Sequence, residues 1–358
     1  MPLPPMRAST VRFENLAALE KAQRSKAAGG RATTYGRMGM DTHAALEQVF
    51  AQLEGGTHAY LAPSGLSAMT MVMLALCSAG DHALISDCVY GPMRELDDAV
   101  LKRMNIAVTY FAAGEDLDAL VQPNTKLLYV ESPGSLLFEM LDMGAMAAIA
   151  QRHGLVLATD NTWGSGYIYR PLTLGAQVSV IAGTKYVGGH SDLMLGAVVT
   201  NDEAIAKKLN RTQYAMGYSI SADDAWLALR GVRTMPIRMA QHARHALQVC
   251  EFFKQRPETV RLFHPPGRRI RAMRCGSATA PVRTACCRSS CACRRRPRGC
   301  SSTNWSCSVS VSRGAATKAW CNWCRPRTCR TIAIGARATM RWCACTSAWS
   351  RRRTSSPT

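Results

Sequence analysis

An α/β fold built on a mostly parallel sheet is what this sequence predicts, and three observations carry the prediction. Short apolar runs alternate with helical ones from about residue 58 to residue 200. Charged residues stand at the ends of two of those apolar runs, Asp160 and Lys185. Acidic residues then vanish from the chain after Glu258, so the ordered pattern belongs to the first part only.

The elements follow in order. DTHAALEQVFAQLE, residues 41–54, spaces its apolar residues as a helix does, and Gly55-Gly56 supplies a stop. HAYLAP is a short strand, and SGLSAMTMVMLALCSAGD is a glycine turn opening a buried helix that ends at Gly80. Strand-like HALISD, IAVTYF and TKLLYVES alternate with helical GPMRELDDAVLKRMN and LDALVQP. A second series runs LDMGAMAAIAQRHG, LVLATDN, VSVIAGTK and LGAVVTN. Repeated βα units argue for a sheet covered on both faces, with ligands at the carboxyl ends of its strands. Helical spacing resumes at 201–216 and again over 223–255, which leads out of the large domain.

The chain has 358 residues, a net charge of +20 and 15 cysteines. Spread evenly, these numbers would suggest a nucleic-acid-binding or secreted protein. They are concentrated instead: after Glu258 stand 21 Lys and Arg without one Asp or Glu, and 12 of the cysteines. Subtraction leaves 23 basic against 24 acidic residues in positions 1–258, and only Cys77, Cys88 and Cys250. Low hydrophobicity with high net charge predicts that the tail is disordered. No apolar run reaches the roughly 18 residues of a membrane span, and MPLPPMRAST has no signal-peptide core; the cytoplasm is the expected location. The domains expected are an N-terminal arm at 1–40, an α/β domain at 41–235, a connecting helix at 236–264 and the basic tail at 265–358.

VSVIAGTKYVGGHSD, residues 178–192, is the most informative segment. A strand delivers Thr184 and Lys185 to its carboxyl end, and Gly188 and Gly189 let the backbone pass close to a ligand. A lysine among desolvating neighbours loses enough basicity to condense with an aldehyde. Alone, a lysine at a strand end is more often a solvated side chain, and Asp160 alone is as readily a helix cap. Together on successive strands they fit one cofactor: the amine takes the aldehyde of pyridoxal phosphate, and the buried carboxylate meets its pyridine nitrogen. The amides of Ser64, Gly65, Leu66 and Ser67, opening a helix, suit a phosphate dianion, although such a start is commonly only a cap. Tyr90 could lay its ring on the cofactor or be a core tyrosine. Tyr35 and Arg37 could reach a phosphate, or lie in a solvated loop.

YGRMGMDTH, LAPSGLSA, YGPM, ESPGS, DNTW and AGTKYVGGHSD, in this order over residues 6–264, resemble the motifs of the Cys/Met-metabolism pyridoxal-phosphate (PLP) enzymes. ESPGS followed by DNTWGSG is most similar to the branch that cleaves cystathionine by α,β-elimination. The resemblance implies the aspartate-aminotransferase-like, type I fold. It implies that Lys185 binds pyridoxal 5′-phosphate covalently and later moves the proton between Cα and the leaving sulfur. Asp160 would pair with the ring nitrogen, Tyr90 would stack on the ring, and Gly65, Leu66 and Thr184 would hold the phosphate. Tyr35 and Arg37 would join from a neighbouring subunit, with Tyr35 and Tyr90 counted beside Lys185 among the catalytic residues. The oligomer implied is a dimer of dimers, and the substrate a small amino acid, cystathionine; no metal is expected. Ala182 departs from the pattern, since many relatives carry serine there. A γ-lyase or γ-synthase shares these motifs and is the alternative within the class.

The family's smaller domain would supply an arginine for the substrate carboxylate and a loop of the SWGGYES type. Neither stands in residues 265–358. One shifted reading frame can turn 271–277 into GHALWQ, 312–320 into SWGGYESL and 340–350 into ALVRLHIGLE, which points to a frameshift close to Pro265. The competing reading is a real zinc or nucleic-acid module, with Cys321, Cys324, Cys343 and Cys345 as ligands and Arg294, Arg295 and Arg296 on phosphates.

Overall fold

The structure, a computed structural model, describes residues 3–27, 31–135, 137–257 and 259–265, and beyond these 288–291, 307–311, 319–320, 329–333 and 339–343. The chain divides into two compact units, Met1–Ala243 with Pro265–Thr284, and Arg244–His264 with Ala285–Thr358.

The first unit is an α/β layer structure around a seven-stranded sheet. Its strands are β1 (His58–Ala62), β2 (His82–Ser86), β3 (Ala107–Phe111), β4 (Thr125–Glu131), β5 (Val156–Asp160), β6 (Val178–Ile181) and β7 (Gly196–Thr200). They lie in the order β1-β7-β6-β5-β4-β2-β3. Strands β6, β5, β4, β2 and β3 are parallel, and β7 runs antiparallel to both β6 and β1. Strands β2, β6 and β7 are buried at every position, as expected where both faces carry helices. Edge strand β3 is the most open.

Helices α2 (Asp41–Glu54), α3 (Gly65–Leu76), α5 (Met143–His153) and α6 (Glu203–Ala215) begin and end where their local chemistry dictates. Ser64 caps α3 by accepting from the Ser67 N–H, Asp142 caps α5 and Asp202 caps α6. Gly55 and Gly154 take the left-handed conformation that closes α2 and α5. One core cluster gathers Met69, Met71, Val72 and Met73 of α3 against Ile85, Leu127, Tyr129 and Val198 of the sheet. The other side packs Leu128, Val130 and Leu157 against Met143, Met146 and Ala150 of α5.

Four details differ from the sequence reading. A helix α1 (Leu16–Ala27) forms in the N-terminal arm, without a buried residue, so no apolar stripe announces it. LDALVQP is a series of turns, being too short and too close to Pro123 to propagate a helix. Helix α3 stops at Leu76 with Cys77 extended, and Gly80 forms the turn into β2, where Asp81 Oδ2 accepts from the Ser78 N–H. Residues 92–104 form α4 (Pro92–Leu96) with a π turn and a 3-10 turn after it.

In the second unit β8 (Thr259–Phe263) forms an antiparallel sheet with segments Arg288–Cys291, Cys307–Val311 and Ala319–Trp320, and Cys329–Ala333 pairs with Thr339–Cys343. The expected disorder of the tail, Arg294 to Arg296, Cys321, Cys324, Cys345 and most of the frame-shifted segments fall outside the described residues. Helix α7 (Ala222–Lys254) is one continuous 33-residue element.

Candidate active site

The site sits where parallel strands β5 and β6 end. Asp160 is the last residue of β5 and is 6% exposed. It pairs in register with Val180 on one side and with Glu131 on the other. Its Oδ1 accepts from the Thr162 N–H at 2.8 Å, which orients the carboxylate at the strand end. Thr162 Oγ1 in turn accepts from the Ala182 N–H at 2.8 Å, and Ala182 O accepts from the Lys185 N–H at 3.1 Å. Asp160 and Lys185 are therefore joined by three consecutive hydrogen bonds.

The N-terminus of α3 reaches the same point. A Cβ on Gly65 would stand 2.6 Å from the Ala182 Cβ, so only glycine admits this approach. Within the first turn, Ser64 Oγ occupies the Ser67 N–H and Ser64 O occupies the Ala68 N–H. The two amides before them, Gly65 and Leu66, keep the donor capacity that a helix start offers an anion. Ala182, the departure noted in the sequence, is the residue on which Gly65 packs.

Thr184 stands beside Lys185, but its hydroxyl is committed to the neighbouring strand: it donates to Leu195 O at 3.1 Å and accepts from the Leu195 N–H at 2.9 Å. The side chain braces the loop, and its hydroxyl proton is already used. Gly188 and Gly189 also serve the chain itself. A Cβ on Gly188 would meet Leu193, and one on Gly189, with φ of 78°, would fall 2.2 Å from the Arg238 guanidinium carbon. The close approach expected of a ligand there is made by these side chains.

Tyr90 follows β2 and is 42% exposed. Its N–H donates to Glu131 Oε2 at 2.6 Å, and the Ser135 hydroxyl donates to Oε1 at 2.6 Å. Glu131, buried at the end of β4, thus sets the loop that carries Tyr90. In the sequence it showed only as the first letter of ESPGS.

Tyr35 is 49% exposed, and Arg37 packs on Tyr214, its guanidinium carbon 4.8 Å from the ring centroid and Nη1 donating to Tyr214 O at 3.4 Å. Within one chain Arg37 lines a hollow with His43, Glu47, Gln213 and Tyr218, and its guanidinium meets Tyr214 at the end of α6.

Behind Asp160 lies a buried acid that sequence patterns do not reveal. Glu54, the last residue of α2, is 0% exposed. It accepts from Asn161 Nδ2 at 3.1 and 2.8 Å and from the Ser179 hydroxyl at 2.9 Å. Burial pushes its carboxyl up to about 8, opposed by those hydrogen bonds and by Arg170, and assisted by the charge of Asp160. Glu54 therefore holds its proton more tightly than an ordinary carboxyl does.

The Cys/Met metabolism PLP-dependent enzyme family matches residues 2–271 of the chain. Over 263 residues the chain is 76% identical to the cystathionine beta-lyase of Bordetella avium, covering 74% of this chain and 66% of that protein. It is 35% identical over 263 residues to the cystathionine beta-lyase MetC of Escherichia coli (strain K12), covering 72% and 66%. Among solved structures, cystathionine gamma-lyase from Lactobacillus plantarum complexed with L-serine superposes with a TM-score of 0.74 at 30% identity. metB from Corynebacterium glutamicum gives 0.75 at 29%, each covering 81% of this chain and 73% of the other. The chain aligns with slightly less than two thirds of the length of these curated relatives.

Proposed function

Since the chain belongs to the Cys/Met metabolism PLP-dependent enzyme family, we propose that its site cleaves the carbon–sulfur bond of cystathionine by α,β-elimination. Cystathionine and water give homocysteine, pyruvate and ammonia. The observation that carries this reading is the run of hydrogen bonds from Asp160 through Thr162 and Ala182 to Lys185, with the start of α3 against Ala182.

The residues present fit pyridoxal phosphate. An amine, a buried carboxylate and a pair of helix-start amides are the three donors and acceptors its aldehyde, ring nitrogen and phosphate require. When bound, the cofactor supplies an electron sink for the negative charge that develops at the substrate Cα. Lys185 is the amine that holds it, and afterwards carries the proton from Cα to the departing sulfur. Asp160 keeps the ring nitrogen protonated, and its bond from the Thr162 N–H holds it in place for that purpose. Gly65 and Leu66 donate to the phosphate. Thr184 contributes by fixing the loop against Leu195. The Tyr90 ring covers the cofactor, held by Glu131.

Tyr35 and Arg37 serve the site of a neighbouring subunit in this reading, which makes the working form a homo-oligomer, a dimer of dimers, placed in the cytoplasm. No helix among the described residues is long and apolar enough to cross a membrane. The family match ends at residue 271, close to where the composition changes, and this supports a frameshift near Pro265. The polypeptide as translated then lacks the arginine for the substrate carboxylate, and turns over slowly. Resequencing the gene tests this: an alternative frame encoding SWGGYES is expected, and an intact frame without one removes the idea. The reaction is tested by product analysis, with pyruvate expected and 2-oxobutyrate indicating γ-elimination.

A further inference from the structure

Arg238 lies 53 residues beyond Lys185, on α7, yet its guanidinium is fastened to the loop that follows the lysine. Nη2 donates to Tyr186 O at 2.8 Å and to Gly231 O at 2.8 Å, while Nε donates to Thr234 Oγ1 at 3.0 Å. Thr234 Oγ1 donates to Gly231 O at 3.0 Å and so belongs to the same cluster. The guanidinium also lies across Gly189, whose missing Cβ makes the room. At Gly231 a Cβ would stand 2.3 Å from Gly188 O and 2.5 Å from Val187 O, so the helix backbone itself presses on the loop. Tyr186 completes the clasp, its ring 6.1 Å from that of His242.

This arrangement bears on Lys185 through its backbone. The Lys185 N–H donates to Ala182 O at 3.1 Å, and Lys185 O accepts from the Gly189 N–H at 2.8 Å. One of those anchors, Gly189, is the residue beneath the guanidinium, and Tyr186, which Arg238 grips, is the next residue in the chain. A cation half-buried against carbonyl oxygens is costly where an apolar side chain would fill the same space. Its use here is explained by what only a planar fork of donors provides, simultaneous hold on a loop carbonyl, a helix carbonyl and a helix hydroxyl.

We propose that Arg238 is a positioning residue for Lys185, locking loop 186–189 onto α7 so that the lysine amine meets the cofactor in one geometry. The inference rests on the reading of Lys185 as the cofactor-binding lysine. The test uses the full chain saturated with pyridoxal phosphate, comparing wild type with Arg238→Lys, Arg238→Met and Thr234→Val. Two quantities are read: the cofactor dissociation constant, and the visible-region circular dichroism per bound cofactor, which reports ring orientation and not fold. Arg238→Met is expected to raise the dissociation constant about tenfold and to lose most of the visible signal with the far-ultraviolet spectrum unchanged, because supports of a reactive group act on geometry. Arg238→Lys, keeping charge but not the fork, should fall between, and Thr234→Val should move both readouts slightly in the same direction. A folded Arg238→Met with wild-type affinity and wild-type visible signal overturns the proposal. If Arg238→Met does not fold, wild-type values in Thr234→Val overturn it. A wild-type chain that takes up no cofactor removes the reading of Lys185 and this proposal with it, whereas normal uptake with unaffected variants removes the proposal alone.

Discussion

Thr162 Oγ1 accepts the Ala182 N–H at 2.8 Å, and this contact ties the segment after β5 to the segment after β6. Because Thr162 also donates its own N–H to Asp160, one threonine sets the separation of the acidic and basic ends of the site. Thr162→Val leaves the Ala182 N–H without its acceptor, at a cost of about 1–3 kcal/mol. Urea unfolding should show the loss and cofactor titration a weaker complex, while Thr162→Ser, which keeps the hydroxyl, should recover most of both. Unchanged stability in Thr162→Val would mean the contact is incidental.

Gly65→Ala drives a methyl to 2.6 Å from the Ala182 Cβ. Either α3 or the 182–185 loop must move, with a stability loss of about 1–3 kcal/mol and weaker phosphate binding. Adding Ala182→Gly removes the colliding methyl and should restore part of the cofactor affinity. A Gly65→Ala protein that binds cofactor normally would separate the helix start from the phosphate site.

Glu54 gives the fold a pH dependence of definite sign. Burial raises its carboxyl from the ordinary 4.5 to about 8 in the folded protein, so the folded state binds the proton more tightly. Stability is greatest below the unfolded value and falls as pH rises from about 4.5 to 8, by an amount on the order of a few kcal/mol. Asn161, Ser179, Arg170 and Asp160 are the groups acting on it. Glu47, raised to about 7 by burial against the pull of Arg31, adds a decline of the same sign. Unfolding free energies at pH 5 and pH 8 should therefore converge in Glu54→Gln without becoming equal. An unaltered slope in that variant would show that Glu54 is ionised throughout.

Glu131→Gln removes the charge that strengthens both bonds and replaces one carboxylate acceptor with a donor, so that with the oxygen towards the Tyr90 N–H the Ser135 hydroxyl must turn from donor to acceptor. The penalty is about 1–3 kcal/mol, and the Tyr90 loop should loosen, seen as faster amide exchange at Tyr90. Protection equal to wild type would assign the loop's position to other contacts.

Much of the sheet was legible in the sequence because central strands are continuous apolar runs, and HALIS and VSVI could be little else. Asp160 and Lys185 were legible for the same reason: a charge at the end of such a run stands out. What sequence spacing does not convey is which partners meet across the fold. Gly188 and Gly189 read as room for a ligand, whereas they make room for Leu193 and for Arg238, whose position in the chain bears no pattern relation to the lysine. Thr184 reads as a phosphate ligand, and spacing does not convey that its hydroxyl also pairs with Leu195. Glu54 sits at a helix end just before Gly55-Gly56, where an acidic residue ordinarily meets solvent; only the packing of α2 on the sheet, which sets its carboxyl against Asn161 and Ser179, shows it buried. Helix α1 has no buried face, and amphipathic spacing had nothing to report.

The central claim is that Lys185 captures the cofactor within reach of Asp160. Borohydride reduction of the purified chain after incubation with pyridoxal phosphate, followed by peptide mapping, tests it directly. The label is expected on Lys185, absent in Lys185→Ala, and lower in extent in Asp160→Asn. A label on another lysine, or equal labelling in Lys185→Ala, would contradict the account.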